Sequence, residues 1–264
     1  MTELRPARAR DATAIWLRCL VPVARPWVRL VCFPHSGGSA AFYRPWGAHL
    51  PPDVELYGVQ YPGRLDRIAE PGADDVDQLA DELAVAVAPL LDHPTALFGH
   101  SLGATVAFEL ARRLPARGVV QLFVSGRVPP QRLRPGTMHL ASDDELWMEL
   151  GRLGGTRPEV LASPELRAAF LPALRNDYRL AETHPWRPGP PLGCPLTAFV
   201  GTEDTEVSLA DAAAWVEHTR GGFGVRTFAG GHFYLTARLS ELTGEILYQL
   251  SRHVPGRYGR LVGP

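Results

Sequence analysis

The sequence predicts an α/β fold with a mainly parallel, doubly wound sheet. Short apolar segments of strand type alternate along the chain with longer amphipathic segments of helical type, and this alternation is typical of βαβ units. The predicted strands are residues 28–33, 55–60, 95–98, 119–124, 196–200 and 224–228, and the predicted helices are residues 76–91, 102–114, 209–219 and 237–253. The apolar stretch at residues 14–23 is expected to add an antiparallel edge strand.

Length and composition predict one domain over residues 1–264, which is long enough to bury a large core. The net charge of −1 provides no electrostatic basis for binding nucleic acid or an anionic membrane. Residues 1–10 lack the apolar core of a signal peptide, and no run of 18 apolar residues predicts a membrane span. Residues 255–264 are expected to form a loose arm.

The three cysteines are Cys19, Cys32 and Cys194, an odd number without the spacing of metal ligands. We therefore expect no disulfide framework, a reducing compartment and a cytoplasmic protein.

One segment interrupts the alternation, because residues 129–191 contain no predicted strand. Ser142 and Glu145 form a capping-box pattern that predicts a helix ending at Gly154. Ser163 followed by Pro164 predicts a second helix start. Helices inserted between core strands at the carboxyl edge of the sheet predict a lid over a site there. The alternative is a subdomain that has no part in the site.

Residues 99–103 read Gly-His-Ser-Leu-Gly, the G-x-S-x-G pattern, between a predicted strand and a predicted helix. This context is typical of the nucleophile elbow of α/β-hydrolases, which would expose the Ser101 hydroxyl above the sheet. The Leu102 N–H, at the start of the helix, is a candidate donor to an oxyanion. Without its context the five-residue pattern is common enough to arise by chance.

A serine nucleophile needs a general base, and His232 is the candidate because it follows the last predicted strand and precedes a helix. We expect His100 to shape the elbow. The histidines expected to be solvated are His49, His93, His139, His184, His218 and His253.

The acid of the triad follows a strand between the serine and the histidine in α/β-hydrolases. Asp204 is the candidate, because it follows the strand at residues 196–200 and a short carboxylate holds an imidazole rigidly. Its neighbours Glu203 and Glu206 are expected to be solvated. One strand earlier the chain reads Ser-Gly-Arg at residues 125–127, which contains no carboxylate.

A second oxyanion donor is expected from the glycine-rich loop at residues 34–39, which follows the strand at residues 28–33. We assign this donor to the Ser36 N–H. His35 is interpreted as a packing residue rather than a catalytic one, and His35, Gly37 and Phe233 are candidate substrate contacts. The loop contains neither G-x-x-x-x-G-K-[ST] nor G-x-G-x-x-G, so nucleotide binding is not predicted.

Several motifs occur in order between residues 28 and 240. They are Phe-Pro-His-Ser-Gly-Gly at 33–38, Val-Gln-Tyr-Pro-Gly-Arg at 59–64, Phe-Gly-His-Ser-Leu-Gly-Ala at 98–104, Leu-Gly-Gly at 153–155, Pro-Ala-Leu-Arg-Asn-Asp-Tyr at 172–178 and Gly-Gly-His-Phe-Tyr-Leu at 230–235. With these motifs the chain resembles the stand-alone type II thioesterases of polyketide and nonribosomal peptide pathways. Two departures are Asn176, where that family often has Ala, and Ser36, where it also often has Ala.

The resemblance implies an α/β-hydrolase fold with Ser101, Asp204 and His232 as triad and the Ser36 and Leu102 N–H groups as oxyanion hole. It implies hydrolysis of acyl groups from the phosphopantetheine arm of acyl or peptidyl carrier proteins, without cofactor or metal. We expect a monomer. The alternatives are a product-releasing thioesterase or cyclase, a carboxylesterase, and a non-catalytic binding protein, which would need one triad member to be missing.

Overall fold

A seven-stranded sheet forms the centre of the computed structural model, which describes residues 11–115 and 117–254. The strands are β1 (Leu17–Val21), β2 (Val28–Phe33), β3 (Val54–Val59), β4 (Thr95–His100), β5 (Val119–Ser125), β6 (Leu196–Gly201) and β7 (Phe223–Phe228). The predictions for residues 1–10 and 255–264 lie outside the described residues.

The strand order is β1-β3-β2-β4-β5-β6-β7, and every pair is parallel except β1 with β3. The predicted antiparallel edge strand is therefore confirmed. The chain reverses direction across the sheet between β3 and β4, so the loops after β2 and β4 lie side by side at one edge. Such a switch point is where open α/β sheets bind ligands.

The described helices flank this sheet. They are α1 (Val76–Val87), α2 (Leu102–Arg113), α3 (Asp143–Leu153), α4 (Pro158–Leu161), α5 (Pro164–Thr183), α6 (Leu209–Ala213), α7 (Tyr234–Ala237) and α8 (Leu239–His253). Short 3₁₀ segments include Ala40–His49, Ala88–Asp92 and Ala214–His218.

Two apolar layers cover the faces of the sheet, because side chains alternate between faces along each strand. Val31 packs in the layer that contains α1 and α2, whereas Leu30 packs with Ile246 of α8 on the opposite face. All six residues of β4 are buried, as expected for a central parallel strand covered on both faces. This rigid centre holds the start of the nucleophile elbow.

The inserted segment at residues 129–191 contains α3, α4 and α5 and no strand of the sheet. The predicted capping box is confirmed: the Glu145 N–H donates to the Ser142 hydroxyl, and the Ser142 N–H donates to the Glu145 carboxylate. Gly154 ends α3 with a φ of 82°, and Ser163 caps α5. Leu146, Trp147, Leu150, Leu171 and Leu174 give the segment a small apolar core of its own.

Two predicted helices are shorter than expected. The first ends as an α-helix at Val87, because Pro89 lacks the N–H that would continue it, and the chain goes on as a 3₁₀ turn. The helix predicted over residues 209–219 becomes 3₁₀ after Ala213.

The prediction of solvated histidines is wrong for His184 and His218, which are buried. His184 lies 3.5 Å from Glu109, and His218 packs edge-on against Trp186 and Trp215. The contacts of His184 with Glu109 and of His218 with Trp186 join segments distant in sequence, so the local surroundings gave no sign of them. In the part of the chain described by the structure, no helix is long and apolar enough to cross a membrane.

Candidate active site

Ser101 lies in a sharp turn between β4 and α2 and has backbone angles that few L-residues adopt, with φ 53° and ψ −120°. The flanking glycines make this turn sterically accessible. A Cβ on Gly99 would lie 2.1 Å from the Gly103 carbonyl oxygen, and one on Gly103 would lie 2.0 Å from that of Phe33. The Ser101 N–H donates to the Ser125 carbonyl at 2.8 Å, which ties the turn to β5. This is the geometry of a nucleophile elbow.

His232 and Asp204 meet at the same edge of the sheet, on the loops that follow β7 and β6. His232 Nδ1 lies 3.1 and 3.0 Å from the two carboxylate oxygens of Asp204, and the side chains are 5% and 0% exposed. The bond occupies Nδ1, so Nε2 is the ring nitrogen left for a proton from a nucleophile. Glu203 is exposed, and Glu206 pairs with Arg152 at 2.6 Å, as expected for solvated neighbours.

Ser101, His232 and Ser36 line one cavity of about 850 Å³. Ser101 and His232 form no direct hydrogen bond to each other here. Catalytic hydrogen bonds in ligand-free enzymes are often long and tighten only when substrate binds. The cavity thus brings together the predicted nucleophile, the predicted base and the predicted oxyanion loop.

The Ser36 and Leu102 N–H groups donate to no other described residue. Ser36 lies in the loop at residues 34–39, hereafter loop 34–39, and Leu102 is the first residue of α2. The first N–H groups of a helix have no partner within the helix and carry its positive dipole end. One N–H belongs to the residue after the serine and the other to a residue that lines the same cavity, and two such backbone donors are suited to bind a developing oxyanion.

Loop 34–39 is held by two charged residues to which we assigned no role from the sequence. The Gly37 N–H donates to the Asp177 carboxylate at 2.7 Å, and Arg64 donates to the Gly38 carbonyl at 2.9 Å. The Gly37 amide is therefore unavailable to a substrate, which argues against the predicted contact through that group. Arg64 and Asp177 both lie in motifs that carried the family resemblance. The presence of a charged residue in each motif was the only hint in the sequence that the two have a role.

Three histidine rings and Phe233 pack together beside the cavity. His35 lies 4.7 Å from the Phe233 ring, and His100 lies 4.9 Å from the His232 ring. Burial, followed by the proximity of His232 and Arg64, lowers the pKa of His35 to about 3. Burial also lowers the pKa of His100 far below its ordinary value. These two rings are neutral, so they pack against the base without adding charge.

His100 has the shaping role expected of it. Its Nδ1 lies 2.9 Å from the Ser125 hydroxyl, which in turn lies 2.6 Å from the Tyr234 hydroxyl. This chain of hydrogen bonds joins β4, β5 and α7 beneath the elbow.

The inserted segment forms the outer wall of the cavity. Leu150 and Leu153 of α3 and Tyr178 of α5 line it, together with Arg127 and Arg134 from the chain after β5. Burial lowers the pKa of Arg127 to about 10, and its guanidinium donates to the Thr105 hydroxyl and the Ala181 carbonyl. The Arg127 guanidinium remains charged at pH 7 and ties the chain after β5 to α2 and α5. The same cavity is lined by the carboxylates of Glu149, Glu182, Glu206 and Asp211.

A second cavity, of about 540 Å³, adjoins the first at His35, Ser36 and Leu150. Its other lining residues include the apolar side chains of Phe42, Trp46, Phe170, Leu174, Leu235 and Leu239. Among the described residues, no cluster of three or more His, Cys, Asp or Glu side chains is arranged to hold a metal ion.

Comparison with known proteins agrees with this arrangement. A family model described as a thioesterase domain matches residues 28–250. The probable cadicidin biosynthesis thioesterase of Streptomyces griseus is 43% identical over 244 residues, which cover 92% of this chain and 68% of that protein.

Two solved structures extend the comparison. The type II thioesterase BorB from the borrelidin biosynthetic cluster has a TM-score of 0.84 and 48% identity, with 89% of this chain and 98% of that chain covered. YbtT, the type II thioesterase of the yersiniabactin NRPS/PKS pathway, has a TM-score of 0.80 and 31% identity, with 91% of this chain and 98% of that chain covered. The chain belongs to the thioesterase family, and within it to the type II thioesterases of polyketide and nonribosomal peptide biosynthetic clusters.

Proposed function

We propose that the protein is a serine hydrolase that releases aberrant or stalled acyl groups from the phosphopantetheine arm of acyl or peptidyl carrier proteins. The observation that carries this proposal is the cavity that Ser101, His232 and Ser36 line together, with His232 Nδ1 bonded to a buried Asp204. The relatives named above support the substrate class, since BorB is a type II thioesterase from a biosynthetic cluster and YbtT is one from an NRPS/PKS pathway.

In the first half of the reaction, Ser101 Oγ attacks the thioester carbonyl while His232 Nε2 accepts the hydroxyl proton. The carbonyl oxygen becomes an oxyanion that the Ser36 and Leu102 N–H groups stabilise. Collapse of this intermediate breaks the C–S bond, and the thiol leaves with the proton that His232 holds. The acyl group is then an ester of Ser101.

In the second half, a water molecule gives a proton to His232 Nε2 and attacks the ester carbonyl. The second oxyanion binds the same two N–H groups, and its collapse returns the proton to Ser101 and releases a carboxylic acid. Asp204 stabilises the imidazolium formed in each half and keeps the ring oriented. Each step uses side chains and backbone groups of this chain together with water.

The two adjoining cavities are consistent with a thioester that extends in two directions from its carbonyl. The larger cavity contains His232, which must reach the leaving sulfur, and its lining of charged and polar side chains suits the polar phosphopantetheine arm. The smaller cavity has the apolar lining that an acyl chain requires. We propose that the inserted segment at residues 129–191 acts as the lid over both.

The test is hydrolysis of a panel of acyl carrier proteins by the wild type and by Ser101→Ala. We expect the wild type to release acetyl and propionyl groups from carrier proteins, and the variant to lose roughly 10⁴- to 10⁶-fold in kcat. Mass spectrometry of the intact wild-type protein should detect the acyl ester, which the variant cannot form. Hydrolysis by the variant at the wild-type rate would refute the role of Ser101.

The same panel separates the rival activities. An enzyme that releases only the full-length chain would be a product-releasing thioesterase or cyclase, and one that prefers oxygen esters would be a carboxylesterase. A wild-type protein that neither turns over any substrate nor reacts with a fluorophosphonate probe would be a binding protein.

A further inference from the structure

A buried ion pair lies where three segments of the chain meet behind the cavity. Arg64, on the turn after β3, donates through Nη1 and Nη2 to the two carboxylate oxygens of Asp177 at 2.7 and 2.8 Å. Asp177 lies in α5 of the inserted segment, and the two side chains are 4% and 1% exposed. The third segment is loop 34–39, which both residues also bind.

Arg64 and Asp177 form hydrogen bonds to each other and to backbone groups of the surrounding segments. Asp177 Oδ2 accepts both Arg64 Nη1 and the Gly37 N–H, and Arg64 also donates to the Gly38 and Pro62 carbonyls. Burial alone would lower the pKa of Arg64, but Asp177 raises it above its ordinary value. Separation of the two segments would leave an unpaired charge in each buried site, which is strongly unfavourable.

These contacts determine the direction of the Ser36 N–H through one peptide plane. The Gly38 N–H donates to the His35 carbonyl at 2.9 Å. The His35 carbonyl and the Ser36 N–H belong to the same trans peptide, so they point in opposite directions. When Arg64 and Asp177 hold Gly38 and Gly37, the His35 carbonyl is turned inward to Gly38, and the Ser36 N–H is turned the other way.

The pair also couples the loop to the inserted segment. Leu174 lies one turn before Asp177 in α5, and its Cδ1 would be 3.0 Å from a Cβ on Gly37. The backbone of Gly37 therefore packs directly against α5, with a φ of 76° that favours glycine. Movement of α5 away from the sheet would release the loop.

We propose that Arg64 and Asp177 are positioning residues for thioester hydrolysis: together they hold the Ser36 N–H toward the oxyanion, and they make this orientation depend on α5 being seated against loop 34–39. The inference rests on the proposed function. Neither side chain touches the reacting atoms, so the pair acts through the peptide that precedes Ser36.

The first test compares Asp177→Asn with the wild type in steady-state hydrolysis of an acyl carrier protein. Loss of a whole oxyanion donor costs about 10²–10³ in kcat, so a misdirected donor should lower kcat roughly 10- to 100-fold. KM should change less than kcat, because the substitution replaces no side chain that lines the arm cavity or the acyl cavity. Assays are run at a temperature at which circular dichroism finds both proteins folded.

A second measurement separates oxyanion binding from general damage. An alkyl trifluoromethyl ketone, 1,1,1-trifluorooctan-2-one, forms a hemiketal with the serine whose oxyanion occupies the same site. We expect its inhibition constant to rise by about the factor by which kcat falls. If Arg64 and Asp177 contributed only to stability, the inhibition constant of the folded variant would equal that of the wild type. That result would overturn the proposal.

The double variant Arg64→Met with Asp177→Leu removes both charges and leaves neither one unpaired, which can restore stability. We expect its kcat to stay at least tenfold below that of the wild type even if its melting temperature recovers. Wild-type kcat in this variant would overturn the proposal. If it fails to fold, the decision rests on the kcat and inhibition constant of Asp177→Asn.

The matched control is Asp143→Asn, which removes the exposed ion pair between Asp143 of α3 and Arg175 of α5 without touching loop 34–39. It should retain wild-type kcat, and an equal loss in this control would refute a specific role for Arg64 and Asp177. If the wild type hydrolyses no thioester, the proposed function fails. If the wild type is active and Asp177→Asn is equally active, only the positioning role fails.

Discussion

The nucleophile elbow and loop 34–39 are neighbours at the same edge of the sheet, but different forces hold them in place. The elbow is held by close packing of its own backbone and of its backbone against β2, since neither Gly99 nor Gly103 has space for a Cβ. Loop 34–39 is held by charged side chains that come from the turn after β3 and from α5.

This difference means that the elbow is rigid, whereas the geometry of loop 34–39 can be altered. A turn built from backbone packing has one arrangement and fails only with the fold. A loop held by an ion pair whose carboxylate lies on an inserted helix depends on that helix, so its geometry can change without unfolding the sheet. The proposed nucleophile is therefore positioned by the sheet, whereas the proposed oxyanion donor takes its orientation from a contact with the inserted segment.

The largest effect is expected from a methyl group in the elbow. In Gly103→Ala the new Cβ would lie 2.0 Å from the Phe33 carbonyl oxygen, a backbone atom that cannot move without displacing β2. We expect the free energy of unfolding to fall by more than about 4 kcal/mol, or the protein not to fold. Urea unfolding followed by circular dichroism measures this.

Its control is Gly244→Ala in α8, where nothing lies within 4 Å of the new Cβ. This change should raise the free energy of unfolding by about 1 kcal/mol through helix propensity. A Gly103→Ala protein as stable as the wild type would contradict the view that backbone packing determines the elbow.

The second prediction concerns His232, the proposed base, which like loop 34–39 is held by a carboxylate distant in sequence. Asp204→Asn would change the hydrogen bond at His232 Nδ1 and favour the wrong tautomer, so we expect kcat to fall about 10⁴-fold with little change in melting temperature. The control is Glu203→Gln, an exposed neighbour, which should keep wild-type kcat. Comparable losses in the two variants would argue against Asp204 as the triad acid.

The third prediction is a pH dependence that arises in loop 34–39. The pKa of His35 is about 3 in the folded protein, because of burial, and about 6.5 in an unfolded chain. Between these values the unfolded chain binds a proton that the folded protein does not, so stability falls as the pH falls. From pH 7 to pH 5 this loss is about 2 kcal/mol.

His35→Asn should remove that part of the acid sensitivity, which urea unfolding at pH 7 and pH 5 would measure. The control is His49→Asn, because His49 is exposed and should leave the pH dependence of stability unchanged. If His35→Asn retained the wild-type difference between the two pH values, His35 would not be the source.

The smallest effect is expected at Ser36, where the relevant group belongs to the backbone. Ser36→Ala keeps the N–H, and the sequence departs here from the Ala that the family often has, so kcat should stay within about twofold of the wild type. A loss of more than tenfold would indicate that the hydroxyl itself contacts the substrate. Steady-state kinetics on one acyl carrier protein checks this.

Much of the architecture could be predicted because it depends on local patterns. The strand positions follow from short apolar runs, and the α3 and α5 starts follow from Ser142 and Ser163 as caps. Asp204 and His232 could be predicted as partners because the carboxyl ends of parallel strands meet at one edge, and their hydrogen bond agrees with that expectation. Their catalytic roles remain predictions.

Contacts across the fold could not be predicted in the same way. His184 lies against Glu109 and His218 against Phe108, both far along the chain, and the Gly37 amide is occupied by a carboxylate 140 residues away. No periodicity or spacing reports such pairings, since they arise only after the inserted segment has packed against the sheet.

By itself the sequence determined the elbow, the sheet and the candidate triad, because glycines, helix caps and apolar runs determine the backbone structure within a few residues of their own positions. The tertiary structure alone decided how the Ser36 N–H, the proposed second oxyanion donor, is directed. Arg64 and Asp177 are 113 residues apart, and each is an ordinary charged residue until folding buries them together against loop 34–39. A buried charge must have a partner, and only the packed fold decides which one it is.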